Sequence, residues 1–364
     1  MSPTVWLNFA LLTALGGGLI WWLNRRVAGS RLLGRWLLVS YGLRVGLALA
    51  LFLISYWRLP MLRSLQLYSP GFWHFALDGG VYHTYGSQIA EAWRAGSDIP
   101  TTEGLGIEYF VIVAALYRFL GAHPIFPVVV NCLLATLSGL LAFAISRRLS
   151  NERVAFASAV QVGFWPSTFI RSSQILKDSP CLFLVLAVLL LTLQACASIQ
   201  APRRLAAPRV WAWGLAFVGT IVLLTRLRFY LGSILAVVAL AVLLTATAVS
   251  AARRRRSVGA RYLALAALIA VTALFARGLN VERLMAGSSA VMEGVRQVDD
   301  QLLTTVREAT PESLDRQRRN FVVTGGRSLM DPKAMIAHLG SLLRYLPRAL
   351  AIGLRVEGFD IDEA

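Results

Sequence analysis

Apolar runs long enough to cross a membrane recur along most of this chain. At ~1.5 Å per helical residue, about twenty residues reach across the ~30 Å hydrocarbon core. Runs near that length cover Val5–Leu23, Trp36–Trp57, Phe126–Ser146, Val154–Ile170, Pro180–Ser198, Val210–Leu224, Tyr230–Ser250 and Arg261–Ala276. With 57% of the residues hydrophobic, no soluble core would hide them all, and a β-barrel would alternate with period two instead. The expected fold is all-α, a polytopic helical membrane protein with about eight transmembrane helices.

A net charge of +17 invites nucleic acid as a partner, but its placement argues against that. Arginines gather at the ends of apolar runs: Arg25-Arg26, Arg147-Arg148, Arg203-Arg204 and Arg253 to Arg256. This is the positive-inside pattern that orients spans during insertion. Beyond Asn280 the chain is near charge balance, which leaves no basic domain for DNA or RNA. Cys132, Cys181 and Cys196 lie within apolar runs, so free buried thiols are expected rather than disulfides. Met1–Leu23 lacks the basic start and small-residue cleavage site of a signal peptide and is expected to be a span.

The first two runs flank one short basic loop, which belongs in the cytoplasm. The polar and aromatic segment 58–125 then lies outside. Gly104–Gly121, about eighteen residues, reaches about 27 Å and is marginal for a crossing. Read as a helix lying at the outer leaflet, it lets every arginine cluster fall on one side. Four regions are expected: two spans in 1–57, an external loop with surface-lying helices in 58–125, six spans in 126–277 and an external tail in 278–364.

Three stretches carry candidate chemistry. Asp78 is followed by Gly79-Gly80, Tyr82 and His83, with His74 just upstream. It is either a turn aspartate or a base beside a substrate hydroxyl, and His74, Asp78 and His83 lack the spacing of a metal-ligand motif. Arg171 and Lys177 sit in a short outer hairpin, where cations are disfavoured. They are either headgroup anchors or ligands for an anion. Arg226 and Arg228 repeat the theme at another outer turn. Several cations at one depth imply a compensating anion or partner, and phosphate suits them because guanidinium grips it bidentately. Asp178 could instead pair with one of them. Arg44, deep in its span, is expected to pair internally.

In this order, the features resemble the GT-C superfamily of membrane glycosyltransferases, which includes protein O-mannosyltransferases and aminoarabinose transferases. The resemblance rests on Asp78 in the first external loop with Tyr82 four residues on, and on the surface helix Gly104–Gly121. The span from Asn131 to Arg148 and the turn SSQILKDS at 172–179 extend it. It covers roughly residues 36–230, with a weaker echo at Tyr345-Leu346-Pro347-Arg348. Many members carry an Asp-Glu pair where Gly79 follows Asp78 here. Members also continue into another span where this sequence stops, which leaves two alternatives open beside autonomous activity: a partner membrane subunit or a degenerate enzyme.

The resemblance implies transfer of a sugar from a polyprenyl-phosphate carrier to an acceptor hydroxyl, with inversion, at the outer face of a bacterial inner membrane. Asp78 would be the base. Lys177, Arg226, Arg228 and Arg171 would hold the phosphate, and Tyr82 and His83 would contact substrate. No metal or cofactor is called for beyond the lipid-linked sugar itself. The rival expectation is a non-catalytic protein that transports polyprenyl lipid or serves as a scaffold in envelope polysaccharide assembly. A ligase-like enzyme using a pyrophosphate carrier would share the chemistry.

Overall fold

The computed structural model describes residues 2–67, 71–97, 107–200 and 208–254. Ten α-helices follow one another among them: α1 Pro3–Val27, α2 Arg31–Tyr56, α3 Leu77–Ala95, α4 Ile107–Leu120, α5 Ile125–Leu149, α6 Glu152–Phe164, α7 Pro166–Ser172, α8 Asp178–Gln200, α9 Pro208–Leu227 and α10 Phe229–Arg254. Extended pairing among the described residues is confined to one antiparallel bridge, Gln66 to Trp73. Among the described residues, five helices are long and apolar enough to cross a membrane: Pro3–Val27, Arg31–Tyr56, Ile125–Leu149, Asp178–Ser198 and Leu231–Val249. The expected span Arg261–Ala276 and the tail 278–364 lie outside the described residues.

Helix α5 is the hub. Of its apolar window 72% is buried, against 11% for α1, and it packs on α1, α2, α6 and α8. Small residues let α6 approach closely: Ala155 and Ala159 are buried, and a side chain at Gly139 of α5 would come within 3.2 Å of the Ala159 carbonyl. Helices α8, α9 and α10 pack on one another around a second apolar cluster that includes Val188, Phe217, Ile221 and Leu243.

One expected span is not a single helix. Val154–Ile170 is interrupted at Trp165-Pro166, where proline lacks an N–H and disfavours a helical residue before it. Helix α6 stops at Phe164 after 13 residues and α7 restarts at Pro166 for seven. Arg44 of α2 closes the break. Its guanidinium, fully buried, donates to the Gly163 carbonyl at 2.8 Å, the Thr168 carbonyl at 2.9 Å and Ser172 Oγ at 2.6 Å. It also lies 4.7 Å from the centre of the Phe169 ring. The charge is thus spread over carbonyl oxygens that the broken helix leaves free.

Helix α4 has 14 residues, about 21 Å at helical rise and short of a bilayer core. It lies against α3, and Tyr109, Phe110, Val113, Ala114 and Tyr117 are buried. Gly86 sets the spacing, because a side chain there would fall 2.6 Å from Val113 Cγ1. The apolar part of α9, Trp213–Leu227, is likewise shorter than the five membrane-length helices.

Candidate functional site

Two stretches about a hundred residues apart meet where α3 begins. Asp78 is exposed in the first turn of α3, where an acidic side chain complements the helix dipole. The next residue, Gly79, lies against the turn that leads into α8; a side chain there would sit 3.5 Å from the Ile175 carbonyl. The turn is pinned from the other side. Asn131 of α5 donates to the Gln174 carbonyl at 2.8 Å and the Leu176 carbonyl at 2.9 Å, while the Tyr109 hydroxyl donates to Leu176 at 3.1 Å. Asn131 and Tyr109 are both buried. Their partners are backbone carbonyls, so the pair fixes the turn's shape.

Asp178 opens α8 directly after Lys177 and gathers two cations. Its carboxylate bonds the guanidinium of Arg228, in the one-residue link between α9 and α10, and lies 3.4 Å from Arg171 Nη1 at the end of α7. Arg226 is half-buried in the last turn of α9. Lys177 is half-buried and has no carboxylate partner among the described residues. The local count is three cations (Arg171, Lys177, Arg228) against one carboxylate (Asp178), a net of about +2 before Asp78 is added.

No family model, curated protein or solved structure matches this chain. The reading of the site therefore rests on its own geometry.

Tyr82, one turn after Asp78, ties the two stretches together electrostatically. It is buried, with its ring edge-on to Tyr109 at 4.7 Å. Burial pushes its phenol well above the usual range; the charge of Asp78 adds to this, Arg228 opposes it and Asp178 adds again. Asp78, Asp178 and Arg228 thus all lie within electrostatic reach of one hydroxyl. At neutral pH that hydroxyl is protonated and is a hydrogen-bond donor, not a base.

His83 turns away from this group. Its Nδ1 is 2.7 Å from the Tyr117 hydroxyl and its ring lies 5.5 Å from Phe72, in the α3–α4 interface. Burial lowers its pKa, so it is neutral at pH 7 and serves the packing of two helices. His74 is in a short 3-10 turn just before α3. Among the described residues, no three His, Cys, Asp or Glu side chains come together as a metal site would require.

An apolar cleft of about 150 Å³ runs between α4, α5, α8 and α9. Leu116, Leu134, Phe183 and Leu223 line its walls. Pro180 and Leu227, which also line it, stand within two residues of Asp178 and Arg228. A cationic cluster next to a greasy slot suits an amphiphile with an anionic head.

Sequence reasoning offered Asp178 as a partner for one of these cations, and the structure pairs it with two, Arg171 and Arg228; it missed the roles of Asn131 and Tyr109. The signal for Asp178 was present: a carboxylate beside Lys177 and seven residues after Arg171. Arg228 could be joined to it only through the packing of α8, α9 and α10.

Proposed function

We propose that this protein is an integral membrane glycosyltransferase that moves a sugar from a polyprenyl-phosphate carrier to an acceptor hydroxyl at the outer face of the membrane. The observation that carries the reading is the meeting of α3 with the Ser172–Asp178 turn. It brings one exposed carboxylate, Asp78, beside a cluster with excess positive charge. Asp78 accepts the proton of the acceptor hydroxyl as its oxygen attacks the anomeric carbon. The new C–O bond forms as the bond from that carbon to the carrier phosphate breaks, inverting the centre, and the phosphate leaves as an anion. Lys177 and Arg228, with Arg171 and Arg226, offset the negative charge that grows on it. Tyr82, protonated, offers a hydrogen bond near the reacting oxygens. The test is transfer of labelled sugar from a polyprenyl-phosphate donor by the purified protein in liposomes, present in the wild type and lost in Asp78→Asn.

A second reading follows from Asp178. Because it already engages Arg171 and Arg228, the cluster is partly neutralised, as suits a site that holds and releases a lipid head without chemistry. A polyprenyl-lipid transporter or scaffold subunit would use the same cleft and cations and would not need Asp78. Unchanged lipid binding together with no sugar transfer in any variant or in the wild type would favour this reading.

A further inference from the structure

After α2 the chain does not leave for solvent. Tyr56 ends the helix, and Arg58 takes the left-handed conformation with φ 53°, its N–H reaching back to the Ser55 carbonyl while Leu59 N–H reaches Ile54. This is a helix-terminating turn built without its usual glycine. Leu62 is left-handed too, with φ 54°. The fold-back is tied off by Gln66, whose buried side-chain amide donates to the carbonyls of Leu59 and Met61 at 2.8 Å each. The result is a closed, internally bonded loop.

Its surface is the reverse of a solvated loop. Every residue from Tyr56 to Leu65 is exposed, and the large side chains among them are apolar: Trp57 and Met61 at 60%, Leu62 at 53% and Leu65 at 42%. The charged residues of the loop are two arginines, Arg58 and Arg63, with no acidic residue. Left-handed backbone at Arg58 and Leu62 is strained for residues that carry a Cβ, and the Gln66 tie stabilises it. A membrane-length helix, α2, runs straight into this loop.

We propose that the Tyr56–Leu65 loop is an interfacial anchor, which sets Trp57, Met61, Leu62 and Leu65 into the lipid leaflet at the end of α2 and holds Arg63 at the phosphates. The occupant is the bilayer itself. Continuity with a membrane-length helix puts the loop at the interface, and tryptophan and arginine are the residues that favour that depth. The inference does not depend on the glycosyltransferase reading.

The experiment places a nitroxide label at Met61→Cys in the full chain, with Cys132, Cys181 and Cys196 replaced by alanine, in bilayers containing anionic lipid. Leu65→Cys is the second position, and Ser97→Cys, exposed just after α3, is the aqueous reference. The anchor predicts that oxygen reaches Met61 and Leu65 more readily than a water-soluble nickel chelate does. The corresponding depth is roughly 5–10 Å below the headgroups, with the opposite ratio at Ser97. A nickel-dominated ratio at Met61 and Leu65 shows a loop in water and overturns the proposal. Poor access to both reagents shows cover by protein, whether residues 278–364 or a second copy, and overturns it as well.

Discussion

Arg44 and Ser172 meet at 2.6 Å, Nη1 to Oγ, across 128 residues of sequence. No carboxylate neutralises Arg44 among the described residues; carbonyls of the broken α6–α7 segment do that work. Arg44 thereby fixes where α7 ends, and α7 carries Arg171 toward Asp178. Removing one buried member of such a network leaves the others unsatisfied, and a charged hydrogen bond contributes about 1.5–3 kcal/mol. Arg44→Ala should therefore lower stability by roughly 3 kcal/mol or more, read as a large fall in Tm in detergent. Arg44→Lys, which keeps the charge but not the fork, should fall between. An unshifted Tm in Arg44→Ala would show that the break does not need its clamp.

The Asp178–Arg228 contact predicts non-additivity. Arg228→Ala and Asp178→Asn should each destabilise, and the double variant should lose less than the two losses added. The coupling expected for residues in direct contact is about 0.5–3 kcal/mol. Strict additivity in a denaturation cycle would mean that the pair is solvated and contributes nothing.

A test of the lipid site uses one of these residues. Arg228→Ala should weaken binding of a polyprenyl phosphate by roughly 10-fold or more, the loss of one charged hydrogen bond. Equal binding in titration by fluorescence or calorimetry would remove the cluster from the donor site.

Two histidines lead to an expected acid sensitivity of the fold. His123, between α4 and α5, lies between Phe52 and Phe126, and its Nδ1 accepts the Ile125 N–H. Burial, with the positive charges of His83 and the N-terminus, pushes its pKa from 6.5 down to about 4. Since the unfolded chain binds the proton first, stability present above pH 6.5 is lost as pH falls from 6.5 toward about 4. His83, lowered by burial, adds in the same direction. The Tm should drop over that window, and His123→Asn, which can still accept from the Ile125 N–H but does not titrate, should flatten the drop. A profile that His123→Asn leaves unchanged would assign the acid sensitivity elsewhere.

The five membrane-length helices were legible because hydropathy is a local property: each run is apolar by itself. The break at Trp165-Pro166 was also written locally, yet the apolar residues on both sides read as one span until Arg44 supplied donors for the interrupted backbone. Arg44 itself was legible as a buried cation with an internal role, though its partners were not, since carbonyls leave no mark in a sequence. Asp78 and the Lys177-Asp178 turn stood out by composition. Their meeting did not, because Gly79 reaches Ile175 only after α3 has folded back against the bundle. His83 looked like a substrate contact beside Asp78, but five residues along a helix point elsewhere, and it faces Tyr117.

The length of α4 carries a prediction about sidedness. If its 14 residues lie along the membrane, Ser97 and Ser150 are separated by one crossing, α5. Cysteines at these two exposed positions should then react with an impermeant thiol reagent from opposite sides of sealed vesicles. Labelling of both from one side would make α4 a crossing and would invert the placement of every turn that follows.

Single-turnover transfer by Asp78→Asn is the most direct test of the enzyme reading. The asparagine keeps the size and the hydrogen-bonding oxygen but cannot take up the acceptor proton. Loss of a positioned base lowers the chemical step by about 10² to 10⁴, while donor affinity should hold, because the cations stand on α7, α8 and the α9–α10 link. The prediction is a rate reduced by that factor at unchanged donor binding. Transfer by Asp78→Asn at the wild-type rate would remove Asp78 as the base and leave it a first-turn carboxylate that complements the dipole of α3.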